Sequence, residues 1–235
     1  MNFLSFNNNS YIFNDIIFEI CNHINDKDKI MFLSVCKHCH MLKNNLLYYN
    51  VVLIDNISRL WYFNRFTEII IIFDIGKIPD QVRKIYYGNF VDGHINVKIP
   101  IPWKSIKSYG SFDDFINKKF PSSLTHLFFG TWFNTKISTP IPNTITHIIF
   151  CTSYDQPIDK DILPNSLTHI IFGKHFDQTI DNLPKSIITL GLPGKHFNKS
   201  IPLLPNLEYL NLNILYLHEI ENTKYPNLKM IEWTR

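Results

Sequence analysis

Residues 163 to 180 read LPNSLTHIIFGKHFDQTI, and the chain says nearly the same thing twice before, as FPSSLTHLFFGTWFNTKI over 120–137 and IPNTITHIIFCTSYDQPI over 141–158. Prolines mark the period. Pro79, Pro100, Pro121, Pro142, Pro164, Pro184, Pro205 and Pro226 are separated by 21, 21, 21, 22, 20, 21 and 21 residues. A fixed period decides the architecture before any local reading is made. One near 21 is too short for a helix pair and fits a single coil of a solenoid, a short strand followed by a return limb.

The other slots keep the same register. Three residues after each of the first six prolines stand Val82, Trp103, Leu124, Ile145, Leu167 and Ile187, and six after stand Ile85, Ile106, Leu127, Ile148, Ile170 and Leu190. An aromatic or apolar residue follows at Val91, Phe112, Phe133, Tyr154, Phe176 and Phe197, each with Asp or Asn directly behind it. The L-x-x-L-x-F core predicts a strand with one apolar face. A single coil cannot bury these residues, whereas stacked coils cover one another. Asp or Asn after the aromatic is expected to bond nearby amides and hold a turn. Past Pro205 the text changes to PNLEYLNLN and PNLKMIEW, and these last turns are expected to cap the stack.

This pattern resembles the FNIP repeat, a relative of the leucine-rich repeat common in social amoebae and their giant viruses, through FNTKI, YDQPI, FDQTI and FNKSI. The resemblance implies a leucine-rich-repeat-like β-solenoid of about seven coils over 78–203, with C-terminal leucine-rich-like coils or a cap over 204–235.

The first fifty residues obey another rule. Ile12, Ile16, Ile17 and Ile20 recur at helical spacing, as do Ile30, Leu33, Val35 and Leu42, and Asn25 and Asp26 offer a helix start between them. A small helical module over 10–47 follows, making the whole chain α+β. This stretch resembles an F-box: Asp15, Ile16, Ile17 and Ile20 take its first positions, and DKDKIMFLSVCK ends on Val35, Cys36 and Lys37, with Phe13 where the family has proline. The resemblance implies docking on Skp1 of a cullin-based ubiquitin ligase through Ile12, Phe13, Ile16, Ile17, Ile20, Val35 and Cys36, with the repeats holding a target for ubiquitination. Residues 48–77 are expected to form a bridging cap, with strands in YYNVVLID and EIIIIFD and a short helix from Ser58 to Phe66.

Composition narrows the function. With 18% charged residues and a net charge of +3, the cationic excess of a nucleic-acid binder is missing. The longest apolar run, Ile69 to Phe73, is too short to span a bilayer, no secretory signal is evident, and four irregularly spaced cysteines make no disulfide framework. A cytoplasmic protein is expected, within the host if the chain is viral.

No Ser/His/Asp order, Gly-rich phosphate loop or HExxH is present, so neither an enzyme nor a cofactor is expected. Cys36 and Cys39, with His23, His38 and His40 nearby, offer one C-x-x-C and no second, and are expected to pack. His126, His147 and His169 share one slot, each preceded by Thr, and stacked coils would align them about 4.8 Å apart. Packing within this ladder is favoured over partner contact and over metal binding.

The residue seven after proline lies between two inward slots, yet reads Tyr86, Lys107, Phe128, Ile149, Ile171 and Gly191. Exposed aromatic and aliphatic residues in a line mark an interaction surface. Tyr86, Phe128, Ile149 and Ile171, flanked by His126, His147 and His169, are therefore the candidate target-binding site. A repeat scaffold that has lost Skp1 contact is the alternative, and a metal-dependent or hydrolytic enzyme the third reading.

Overall fold

The computed structural model describes residues 9–35, 37–49, 52–53, 59–71, 78, 80–87, 120–150, 152–220 and 224–234. Three short helices open the chain: α1 (Asn9–Asn22), α2 (Asp26–Phe32) and α3 (Lys37–Met41). Asn25 caps α2 as its sequence predicts, its side chain accepting from the Asp28 amide at 3.0 Å, and Asp26 and Asp28 place negative charge at the helix's positive end. Ile17, Cys21, Leu33, Cys39 and Leu42 form a small core of their own.

Among the described residues nine strands follow: β1 (Val52–Leu53), β2 (Glu68–Ile71), β3 (Lys84–Tyr87), β4 (His126–Phe129), β5 (His147–Phe150), β6 (His169–Ile171), β7 (Thr189–Leu192), β8 (Tyr209–Asn213) and β9 (Met230–Thr234). They pair in sequence order, every pair parallel, in one sheet. The chain is thus a parallel-strand solenoid, with five full turns between β4 and β9.

Several expectations change. β1 and β2 stand within the two strands expected at 48–77, and they pair into the same sheet as the repeats. A single 3₁₀ turn, Phe63–Arg65, stands within the helix expected from Ser58 to Phe66. The copy at Pro100 lies outside the described residues, and β3 pairs directly with β4, Lys84 opposite His126. The last two coils also slip by one residue. The amide three residues after the corner donates back to the corner carbonyl at Pro121, Pro142, Pro164 and Pro184, and then at Leu204 and Tyr225. Pro205 and Pro226 therefore stand one step past the corner. Proline is favoured there and not required, because Leu204 and Tyr225 fill the same place with buried side chains. On β9, the last strand described, Trp233 is 49% exposed.

Inside the coils, each slot becomes a row. Leu124, Ile145, Leu167, Ile187 and Leu207 are fully buried, as are Leu127, Ile148, Ile170 and Leu190 beside them. Phe129, Phe150 and Phe172 stack behind the strands at 4.8 and 5.6 Å, and Phe133, Tyr154, Phe176, Phe197 and Tyr216 stack on the return limb at 5.8, 6.2, 6.2 and 6.1 Å. The Asp/Asn slot works differently from the local turn expected of it. Asn134 Oδ1 accepts from the amide of Asp155 and from Gln156 Nε2, and Asp155 Oδ1 accepts from the amide of Asp177 and from Gln178 Nε2. Each bond joins one coil to the next, as strand ladders do on the opposite limb.

The helical module sits on the N-terminal end of this stack. Ile30 and Leu46 pack against the solenoid core, while Lys29 Nζ lies 5.9 Å from the Tyr48 ring and Lys43 Nζ 5.7 Å from the Tyr62 ring. Lys29 also holds Asp26 at 3.0 Å, and Lys43 donates to Ser34 Oγ at 2.7 Å. Burial lowers the Lys43 pKa.

Candidate functional site

The outward positions of the strands form two parallel columns. In the first, Lys84, His126, His147, His169, Thr189, Tyr209 and Met230 stand opposite one another in register. In the second the order is Tyr86, Phe128, Ile149, Ile171, Gly191, Asn211 and Glu232. His126, His147 and His169 align as counted, as do Phe128, Ile149, Ile171 and Gly191, but Tyr86 stands directly opposite Phe128, and Lys107, expected between them, lies outside the described residues. For Tyr86 the described structure fixes the backbone position alone.

The histidine rings stack closer than their strands. Their centroids are 4.1 Å apart at both steps, with interplanar angles of 11° and 10°. Spacing between coils grows from 4.1 Å at this column to 4.8 and 5.6 Å at the phenylalanines behind the sheet and to 5.8–6.2 Å on the return limb. Such a gradient is the signature of a curved stack. The outer sheet face is therefore its concave side, the surface that solenoids offer to large ligands.

Each histidine is held by the threonine before it, with Thr Oγ1 to ring Nδ1 distances of 2.7, 2.8 and 2.8 Å at His126, His147 and His169. The threonine hydroxyls donate to the carbonyls of Arg83, Thr125 and Thr146 at 3.4, 3.3 and 3.1 Å, tying each coil to the one before it. Burial, reinforced by the neighbouring His126 and His169, lowers the His147 pKa to about 4; burial also lowers that of His169.

Beside the histidines runs the apolar column. Phe128, Ile149 and Ile171 are half-buried, and the Phe128 ring stacks on His126 at 6.1 Å. The column breaks at Gly191, where an added Cβ would stand 2.9 Å from Ile171 Cγ2. The gap opens into a notch of about 310 Å³, lined chiefly by Ile171, Gly191, Pro193, Tyr209 and Met230. Sequence reading missed this notch, although an isolated glycine in the strand pattern signals a close approach of just this kind. Beyond it the face turns acidic: Glu232 accepts from Asn211 Nδ2 at 2.8 Å, and Glu208 pairs with Lys229 at 2.8 Å.

The Skp1-facing candidates separate in space. Ile16, Ile20 and Val35 are exposed by 54%, 42% and 71%, with Met31 also on the surface. Ile17 is 3% exposed and belongs to the helical core, so its place in the helical period reflects packing and not an outward face. Cys36 and the side chains of Ile12 and Phe13 lie outside the described residues. Cys39 is buried, His40 Nε2 accepts from Trp61 Nε1 at 3.2 Å, and His23 bonds Glu19 at 3.0 Å. These groups do not converge on a point.

The FNIP repeat family matches the chain over 112–153, 133–175 and 154–192, together residues 112–192. The chain thus carries FNIP repeats; the copy at Pro79 lies before the matched stretch, and that at Pro100 enters it at Phe112. No curated protein matches. A solved structure described as the crystal structure of CroV588, a novel circular LRR protein structure, is similar at 27% identity and a TM-score of 0.49, covering 73% of this chain and 24% of that one. The present chain spans about a quarter of that protein's length.

Proposed function

We propose that this chain is a substrate-recruiting adaptor, docking on Skp1 of a cullin ubiquitin ligase through its helical module and holding a target protein on the concave face of its repeats. The observation that carries the binding role is the column Phe128–Ile149–Ile171, half-exposed on the concave side of a solenoid whose core is complete without it. What supports the docking role is the exposure of Ile16, Ile20 and Val35 on a module whose own core is closed by Ile17 and its neighbours. Both roles are binding roles and require no cofactor, and we place the protein in the cytoplasm. No helix among the described residues is long and apolar enough to cross a membrane.

Affinity purification of the full chain tests the assignment. Skp1 should co-purify, and Ile16→Asp with Ile20→Asp should remove it while the far-ultraviolet circular dichroism stays unchanged. Charge substitutions at Phe128, Ile149 and Ile171 should leave Skp1 bound and strip the second partner. Unchanged Skp1 recovery from the helical variant would withdraw the adaptor role. Phe13, standing where the F-box has proline, favours the alternative of a repeat-based scaffold without Skp1, which predicts capture of a partner on the concave face and no ubiquitin ligase subunits.

A further inference from the structure

Where the apolar column breaks at Gly191, the walls and the rim of the notch differ in character. Ile171, Pro193, Tyr209 and Met230 make its walls apolar. Its polar lining is Thr189, Asn211, Glu232 and Thr234. Glu232 is exposed and accepts from Asn211 Nδ2 at 2.8 Å, and among the described residues no cation pairs with it. The cation on the same strand, Lys229, is taken by Glu208 at 2.8 Å. Thr234 Oγ1 donates to the Leu212 carbonyl at 3.1 Å and keeps its lone pairs. Asn211 Oδ1 is buried with no hydrogen-bond partner among the described residues. Acceptors are therefore in surplus on one side of an apolar slot.

We infer that this notch receives an arginine side chain of the target protein, its aliphatic stem against Ile171, Pro193 and Met230 and its guanidinium on the Glu232 carboxylate. This rests on the reading of the concave face as the target-binding surface and names the residue selected at its C-terminal end. Arginine joins an apolar stem to a planar group of five N–H donors, the combination that apolar walls beside surplus acceptors require. Lysine carries a compact, strongly hydrated charge that neither stacks on a ring such as Tyr209 nor engages a carboxylate through two parallel bonds. A leucine or phenylalanine would fill the notch and bring Glu232 no donor, while an acidic side chain or a phosphate would meet it as a like charge. Asn211 is the positioning residue, since its amide holds the carboxylate at the rim.

Glycine at 191 makes the site. Ile171 faces it from β6 and Asn211 from β8, and an added Cβ would stand 2.9 Å from Ile171 Cγ2, in the space the stem needs. From β4 to β6 the same column carries Phe128, Ile149 and Ile171, and at β7 it drops to backbone. An extended segment that lays apolar side chains along Phe128, Ile149 and Ile171 comes to the notch next. The pattern selected is therefore a run of alternate apolar residues followed by arginine.

The test uses the full chain and an acetylated, amidated peptide of alternating Leu and Ser that ends in one Arg, titrated by nuclear magnetic resonance. Comparator peptides carry citrulline, its neutral isostere, or Glu in place of that Arg. The Arg peptide should shift the amides of Gly191, Asn211 and Glu232 and bind at least about threefold more tightly than the citrulline peptide. Glu232→Gln, at an exposed position, should remove that difference while the rest of the amide spectrum stays unchanged. Gly191→Ala should weaken the Arg peptide with Glu232 intact; if that variant does not fold, Glu232→Gln decides alone. Equal affinity for the Arg and citrulline peptides, a difference that survives Glu232→Gln, tighter binding of the Glu peptide, or no binding of the Arg peptide overturns the inference. If the substitutions at Phe128, Ile149 and Ile171 still strip the second partner in that case, the binding face stands and only its arginine preference falls.

Discussion

Lowering the pH should loosen this solenoid through its histidine column. His147 is held neutral down to about pH 4, against 6.5 for an unconstrained imidazole. The folded value is the lower one, so protonation favours the unfolded chain. The corresponding stability is complete above about pH 6.5 and is lost as pH falls from there toward about 4. A difference of one unit in pKa is worth about 1.4 kcal/mol, and solvent contact at a half-buried ring discounts the total. We expect a loss of about 1–2 kcal/mol attributable to His147 between pH 7.5 and pH 5, a window above the ordinary titration of carboxylates.

Urea unfolding of the wild type and of His147→Gln at a series of pH values reads this difference, since the variant should show a flatter profile. Replacing both neighbours, His126→Asn and His169→Asn, should raise the His147 pKa by removing their charges. Nuclear magnetic resonance titration of the ring measures it directly. A value near 6.5 in the folded wild type, or equal pH slopes in wild type and His147→Gln, would refute the stacked, neutral column.

Other perturbations probe the coils. Phe176 is 1% exposed and stacks on Phe172 at 3.9 Å, so Phe176→Ala should cost roughly 3–5 kcal/mol in denaturant unfolding, with hydrogen exchange rising first in the adjoining coils. Asp155→Ala should lose about 1.5–3 kcal/mol because the Asp177 amide and Gln178 forfeit their acceptor, whereas Asp155→Asn, which keeps an oxygen there as Asn134 does, should be nearly neutral by the same measurement. The buried Tyr154 hydroxyl has no hydrogen-bond partner among the described residues, so Tyr154→Phe should raise stability by about 1 kcal/mol in thermal or urea unfolding. Gly194→Ala should destabilise, since the new Cβ would lie 2.9 Å from the backbone oxygen of Lys174, and loss of thermal stability would register it.

Most of the architecture is legible in the sequence because a repeat writes its own contact map: residues one period apart are neighbours, so a slot that is apolar in each copy must be a buried row. Leu124, Ile145 and Leu167 could be assigned inward, and His126, His147 and His169 aligned, from counting alone. The one-residue slip at Leu204 and Tyr225 escaped that count because a corner asks only for a local hydrogen bond and a buried side chain, which residues other than proline supply. Ile16 and Ile17 are chemically identical neighbours, and only packing against Cys21, Leu33, Cys39 and Leu42 buries one and leaves the other exposed. Curvature, likewise, is a property of the stack: it arises from the different thickness of histidine, strand and aromatic rows, and it alone makes the outward columns a concave surface.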